Sequence, residues 1–369
     1  MNILVINSGS SSIKYKLFCM KNLELLQDGL IEKIGEDNSS IKSHHEALLG
    51  IFESVKNFDS IAHRVVHGAE EFESATIITP KVIELIEELI PLAPLHNPAN
   101  LDGIKISKEL YPEVTQVAVF DTAFHQSMPK HSFLYALPTK LYEQSKIRRY
   151  GFHGTSHFYV AKECAKFLND DLKKLNLITL HLGNGASACA IENGVSVDTS
   201  MGFTPLEGLV MGTRSGDIDS AIVFHLVNTL GYTLDEVDKL LNKQSGLVGI
   251  CGSNDVREIL NSSNSSSKLA IDIMAYRIKK YIGSYIAILG RVDAIIFTGG
   301  IGENSAVIRS KVLDGLDLAF NIEEDSVKNE EKFDKISLIS KDSSKIKLFA
   351  IKTNEELEIA KQSYEVINE

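Results

Sequence analysis

The chain has 369 residues, 44% of them hydrophobic and 24% charged, which is ordinary globular usage and length enough for two cores rather than one. Its formal net charge of -11, from 49 acidic against 38 basic residues, excludes an electrostatic footprint for nucleic acid or an anionic membrane, so small anionic ligands need local basic groups. No apolar stretch is long enough to span a bilayer, and MNILVINSGSSS lacks the basic region of a signal peptide; Cys19, Cys164, Cys189 and Cys251 form no CxxC or CxxH spacing, which argues against a disulfide framework or structural zinc and fits a reducing cytoplasm.

Residues 3–6 are apolar and predict a first strand; a Gly/Ser run follows, and 13–18 then alternates, which predicts a hairpin with a phosphate-sized loop at its tip. Thr79 caps a helix with Pro80 at its first position, and Asn97-Pro98 opens another running to about Leu110. The apolar run 117–120 leads into Asp121, and a helix starts near Ser156. Residues 177–182 then pass through GNGAS into 188–192, a turn at Asn193-Gly194 and 195–199, which repeats the plan of the N-terminal hairpin and predicts an internal duplication. Further helices start near Asp217 and Lys268, and Gly231 and Gly290 stand where helix stops belong. SSNSSS at 262–267 reads as an exposed loop, 294–297 as a strand, and the tail from Asn354 as a helix with an apolar face through Leu357, Ile359 and Ala360. Strands alternating with helices imply an α/β fold.

Three glycine-rich loops carry the chemistry. NSGSSSIK at 7–14 does not match the P-loop pattern, but a strand turn whose backbone N–H groups and hydroxyls converge can bind phosphate, and Lys14 adds charge. GNGASA at 183–188 satisfies GxGxx[GA] formally; the segment after it is a hairpin and not a helix, so a dinucleotide-binding reading fails. FTGGIGEN at 297–304 follows a strand and opens a helix, where glycine backbone lets a base or ribose come close. Each of these is also compatible with a plain packing turn.

Together VINSGSSSIK, HLGNGAS and FTGGIGENS resemble the two phosphate motifs and the adenosine motif of the acetokinase family, within the actin, hexokinase and sugar-kinase superfamily. HRVVHG at 63–68, PLAPLHNPANL at 91–101, FDTAFHQSMP at 120–129, RRYGFHGTSH at 148–157 and DTSMGFTPLEGLVMGTRSGDID at 198–219 extend the resemblance over nearly the whole chain. Two departures stand out: the segment between about 34 and 61 is shorter than is usual in the family, and Ala69 replaces a glycine that commonly follows HRVVHG. The resemblance implies two duplicated actin-like, ribonuclease H-like domains with an active-site cleft between them. One comprises 1–149 plus the helix 356–369 and takes the acyl substrate and first phosphate loop; the other, 150–355, takes the nucleotide and the dimer contact. It further implies reversible, in-line transfer of the ATP γ-phosphoryl group to acetate, giving acetyl phosphate and ADP, by a cytoplasmic homodimer using Mg2+ or Mn2+.

An acetate anion needs no general base; it needs relief from repulsion by the triphosphate, hence positive charge in the site. By the same resemblance, Arg64 grips the carboxylate, Arg214 partners it, His153 hydrogen-bonds the transferring phosphoryl oxygens, and Asp121 positions the metal's water shell or the substrate. Val66, Leu95, His96, Phe152 and Pro205 surround the acyl group. Lys14, His181, Asn184 and Gly185 are assigned to the phosphates, Leu182 and Gly183 to the nucleotide, and Asp255, Val256, Arg257, Gly300, Ile301, Gly302, Glu303 and Asn304 to the adenosine. Asn7 and Glu355 are assigned to the metal, with Glu356 a neighbour of equal charge. His63, His67, His153 and His157 have ligand-like spacing without an HExxH pattern, so they read as hydrogen-bonding residues. A propionate kinase would share every motif, whereas an actin-like or chaperone-like ATPase would have no use for Arg64, His153 and the acyl pocket.

Overall fold

The computed structural model describes residues 1–36, 39–94 and 96–369, and their contacts divide into two units. The first comprises Met1–Gln126, Gly154–Ser156 and Asn354–Glu369. Its strands are β1 (Asn2–Ser8), β2 (Ser12–Cys19), β3 (Glu24–Glu32), β4 (Ser60–Val65), β5 (Thr76–Ile77) and β6 (Thr115–Phe120), in the order β3-β2-β1-β4-β6-β5. β1 pairs antiparallel with β2 and parallel with β4, and β4 runs parallel to β6. Ile3 to Ile6 are all buried because β1 is covered on both faces, and alternation sends them to different cores. Leu4 and Ile6 meet Leu48, Ile51 and Phe52 of the helix His44–Ser54; Ile3 and Val5 meet Ile359 and Ala360 of the C-terminal helix Glu355–Asn368.

The second unit comprises Ser127–His153 and His157–Thr353. It contains β7 (Leu177–Leu182), β8 (Ala186–Glu192), β9 (Val195–Thr199), β10 (Ala294–Thr298), β11 (Ile336–Leu338) and β12 (Lys347–Ile351), in the order β11-β12-β10-β7-β8-β9. Here too an antiparallel triplet, β7-β8-β9, continues into parallel β10 and β12 and ends on an antiparallel edge strand. The repeated order is the duplication, and both units are α/β.

Local signals place most elements. The Thr79 side chain accepts from the Val82 N–H of the helix Pro80–Glu88, and the second predicted helix is Asn97–Leu110. Gly290 closes the helix Ser265–Leu289 at φ +65°, a conformation that favours glycine. Two expectations are corrected. Ser265–Ser267 form the first turn of that helix, with Ser267 buried, so the serine-rich loop is confined to 262–264. No helix starts at Asp217; it starts at Ala221, because the Asp217 carboxylate accepts from the Gly208 N–H and pairs with Arg277. Among the described residues no helix is long and apolar enough to cross a membrane.

Candidate active site

In the first unit β1, β4 and β6 run parallel, so their C-terminal ends share one sheet edge, where α/β folds display functional groups. Asn7 lies at the end of β1, Arg64 near the end of β4, and Asp121 directly after β6. Arg64 Nε donates to Asp121 Oδ1 at 3.0 Å, Nη2 to Oδ2 at 2.5 Å, and Nη1 to Asn7 Oδ1 at 3.3 Å. Burial would lower the Arg64 guanidinium, but Asp121 beside it, with Glu355 and Glu356 beyond, holds it above its ordinary value. Burial raises the Asp121 carboxyl against the pull of Arg64. A guanidinium has five N–H donors, so one on Nη1 and one on Nη2 remain for an anion.

The loops that follow these strands are held by side-chain amides. Asn100 accepts from the Val66 N–H (3.0 Å) and donates to the Ser8 carbonyl (2.6 Å), while Asn97 accepts from the His67 N–H (3.2 Å) and donates to its carbonyl (3.1 Å). Thr122 Oγ1 accepts from the Gly68 N–H at 3.0 Å. Thus HRVVHG, HNPAN and FDT are tied together in one network. Asn97, Asn100 and Thr122 were not assigned to the site from sequence; Asn97 was read there as a helix start, and Asn100 and Thr122 had no signal beyond a place inside motif blocks. Val66 is buried just past the end of β4. Leu95 lies outside the described residues, and His96 stands at the N-terminus of Asn97–Leu110, close enough for its charge to act on Asp121. Gly154 donates its N–H to the Asp121 carbonyl at 2.9 Å, and a Cβ on it would fall 2.3 Å from that oxygen.

Glu356 and Glu355 have separate environments. Glu356 is buried and clamped by Lys14 (2.6 Å) and Lys16 (3.0 Å). Against the effect of burial, the two lysines hold its carboxyl below the usual range. Glu355 is half-buried and acts electrostatically on both Arg64 and Asp121. Among the described residues, no group of three or more His, Cys, Asp or Glu is arranged to hold a metal ion. Asn7 and Glu355 offer oxygen donors, which suit a hard cation that keeps several waters.

In the second unit β7 presents His181, and the 183–185 turn returns the chain into β8. The His181 ring stacks on His153 with centroids 4.3 Å apart. His153 has φ +58°, a left-handed conformation that a non-glycine residue adopts at some energetic cost. A Cβ on Gly185 would lie 3.5 Å from Arg214 Nη1 and 3.7 Å from His153 Nε2, so both side chains flank this turn. Arg214 Nη1 donates to the Pro205 carbonyl at 3.2 Å and contacts Met211 Sδ at 3.8 Å. Among the described residues its guanidinium has no carboxylate partner, and burial lowers its pKa. Phe152 is buried and Pro205 half-buried.

A cavity of about 810 Å³ is lined by Gly183, Asn184, Asp255, Val256, Arg257, Gly300, Ile301 and Asn304, all assigned to nucleotide from the sequence. Asn254, Leu260, Ser305, Ala306 and Val307 also line it; they were missed, although each adjoins or nearly adjoins a motif residue. Leu182 and Gly302 are buried and line no part of it. The Glu303 carboxylate turns back to accept from the Gly299 and Thr353 N–H groups, each at 3.0 Å, which steadies the loop. Arg257 is paired with Asp255, whose carboxyl its guanidinium lowers to about 2.

The sequence profile of the acetokinase family matches residues 2–361. The acetate kinase of Sulfurimonas denitrificans is 55% identical over 98% of this chain and 98% of its own length. In three dimensions the chain is similar to Porphyromonas gingivalis acetate kinase, with TM-score 0.94, 42% identity and 99% coverage of both chains. It is also similar to a propionate kinase from Francisella tularensis, with TM-score 0.93, 41% identity and 98% coverage of both.

Proposed function

The chain belongs to the acetokinase family, and from that premise we propose how its residues divide the work of phosphoryl transfer. The enzyme is a kinase with a carboxylate acceptor, moving the γ-phosphoryl group of ATP to acetate. Acetate is already ionised at neutral pH, so the chain's task is to hold two anions in line and to neutralise the charge that spreads over the phosphoryl oxygens. Arg64 binds the acetate carboxylate through the donors left by Asp121 and Asn7. Asp121 keeps that arginine cationic and oriented, and Val66, Leu95, His96, Phe152 and Pro205 limit the acyl group. Arg214 and His153 donate to the phosphoryl oxygens, beside the Gly183–Gly185 turn that takes the phosphate chain. Lys14 and His181 add charge and polarity for that chain, and the 810 Å³ cavity takes the adenosine. Asn7 and Glu355 would hold Mg2+ or Mn2+ together with phosphate oxygens, and the ion would supply further charge neutralisation.

The observation that carries the assignment is Arg214, a half-buried guanidinium with no carboxylate partner among the described residues, next to His153 at a glycine turn. A cation partly withdrawn from water and left in that condition calls for an anionic ligand. The test is to incubate the protein with ATP, magnesium and acetate, trap acyl phosphate with hydroxylamine, and compare a no-acetate control and a propionate arm. Hydroxamate should form with acetate and fall by at least 100-fold in Arg214→Ala, on the scale of one preorganised donor. ATP consumption independent of acetate would refute the assignment. Cytoplasmic location, supported by four cysteines that form no disulfide, and a homodimer, supported by exposed Ile222, Phe224, Leu230 and Leu234 on and beyond the helix Ala221–Asn228, belong to the same reading.

A further inference from the structure

Behind His153 a chain of hydrogen bonds runs into the interior of the second unit. His153 Nδ1 and His157 Nε2 both lie 2.8 Å from Ser187 Oγ, and His157 Nδ1 lies 2.7 Å from Thr179 Oγ1. Ser187, His157 and Thr179 are fully buried, so these groups satisfy one another rather than water. A hydroxyl carries one proton, so Ser187 can donate to only one of the two rings and must accept from the other. With both rings neutral, two orders satisfy these three contacts. In the first, Thr179 donates to His157 Nδ1, His157 Nε2–H to Ser187, and Ser187 to His153 Nδ1, which puts the His153 proton on Nε2. In the second every donor is reversed and Nε2 of His153 carries a lone pair.

We propose that Ser187 and His157 are positioning residues that hold His153, in the nucleotide-bound enzyme, as the neutral tautomer with its proton on Nε2. This rests on the reading that His153 faces the transferring phosphoryl group. Nε2 is the ring nitrogen on the Gly185 side, so in the reversed order its lone pair would meet phosphoryl oxygen. A third form, the imidazolium, is disfavoured by the Arg214 guanidinium flanking the same glycine. The chain thus supplies His153 with an N–H aimed where charge develops, without adding a cation to the turn.

Nitrogen-15 NMR of histidine-labelled protein with ADP and magnesium reads the tautomer directly, with the His153 signals identified by their loss in His153→Gln. The expected pattern is a protonated Nε2 and an unprotonated Nδ1; a protonated Nδ1, in either the reversed tautomer or the imidazolium, overturns the proposal with no variant needed. Ser187→Ala should shift that pattern and lower kcat about tenfold or more, with KM for acetate within about twofold, the split expected of a group acting in the transition state. In a His153→Ala background the same substitution should change kcat by less than about twofold, because the residue acts through His153. An undiminished effect there would show that Ser187 acts by another route. Unchanged kcat in His153→Ala alone would instead refute the placing of His153 at the phosphoryl group, while the NMR result still judges the chain.

Discussion

The two arginines assigned to the anions should behave differently when truncated, because among the described residues one has a carboxylate partner and the other has none. Arg64→Ala removes three hydrogen bonds and leaves Asp121, 2% exposed, as a buried carboxyl without its counter-ion. Breaking a buried pair by removing one partner costs about 3–5 kcal/mol, and the 20% exposure of the Arg64 side chain favours the lower end. At 2–4 °C per kcal/mol, a loss of about 3 kcal/mol lowers Tm on the order of 10 °C. Arg214→Ala removes one bond to a neutral carbonyl, worth about 1 kcal/mol, and also relieves the burial of an unpaired guanidinium, so its Tm should stay within about 3 °C of wild type. Both variants should lose at least about 3 kcal/mol in kcat/KM for acetate, roughly 150-fold, the scale of one preorganised donor. Calorimetry and steady-state kinetics on the two variants decide the matter. An Arg214→Ala protein destabilised as much as Arg64→Ala would show that Arg214 is a structural residue, and an unmoved Tm in Arg64→Ala would show that the Asp121 pair is of no energetic consequence.

Other perturbations follow from the same structure. Val66→Ala should raise kcat/KM for propionate relative to acetate by about tenfold, within the 1–3 kcal/mol that a methylene controls in an apolar pocket; a wild type that already prefers propionate, or no shift, would remove Val66 from the acyl pocket. His63 is buried, and burial pushes its imidazole down from 6.5 to about 4 despite the 2.9 Å bond to Gln116; the unfolded chain then binds the extra proton first, so stability present above pH 6.5 should decline by about 3 kcal/mol as pH falls toward 4. Urea unfolding across that range should lose this slope in His63→Gln, which keeps a donor for Gln116; equal slopes would count against it. Ala69 sits at φ +48°, where a Cβ costs about 1–2 kcal/mol and glycine's extra chain entropy about 0.5–1, so Ala69→Gly should stabilise by up to about 1 kcal/mol, and a lower urea midpoint would refute that.

The strands that frame the site were legible because their ends are punctuated. β7 and β9 match the sequence expectation residue for residue, and the second hairpin announced the duplication through Asn193-Gly194. β12 (Lys347–Ile351) was not foreseen, since a run of five mostly apolar residues fits a short strand and a buried helical turn equally well. β3 was missed for the opposite reason: as an edge strand it exposes Glu24, Leu25, Leu26 and Leu30 and shows no clean alternation. Spacing alone would set Val66, two residues after Arg64, on the same face of a strand, but β4 ends at Val65; what fixes Val66 is the Asn100 side chain, 34 residues away.

That dependence on distant amides is why candidate site residues could be named from the sequence and their supports could not. Arginine, histidine and aspartate advertise chemistry by type, but whether an arginine is paired is a fact about neighbours remote in sequence: Asp121 lies 57 residues from Arg64. The chain has a net charge of -11, so unpaired carboxylates were available to both arginines. Among the described residues the fold gives one to Arg64 and none to Arg214, whose guanidinium meets a carbonyl and a thioether. On the proposed roles of the two arginines, the difference matches two tasks. An acceptor that arrives and leaves as a small anion is best met by a guanidinium whose orientation is already fixed and whose charge is moderated by a permanent partner. A phosphoryl group whose charge spreads only during transfer is best met by a cation with no competing carboxylate, because its full attraction is then available to the transition state. Replacing Pro205 or Met211 with a glutamate able to reach Arg214 should therefore harm kcat more than KM, whereas strengthening the surroundings of Asp121 should not.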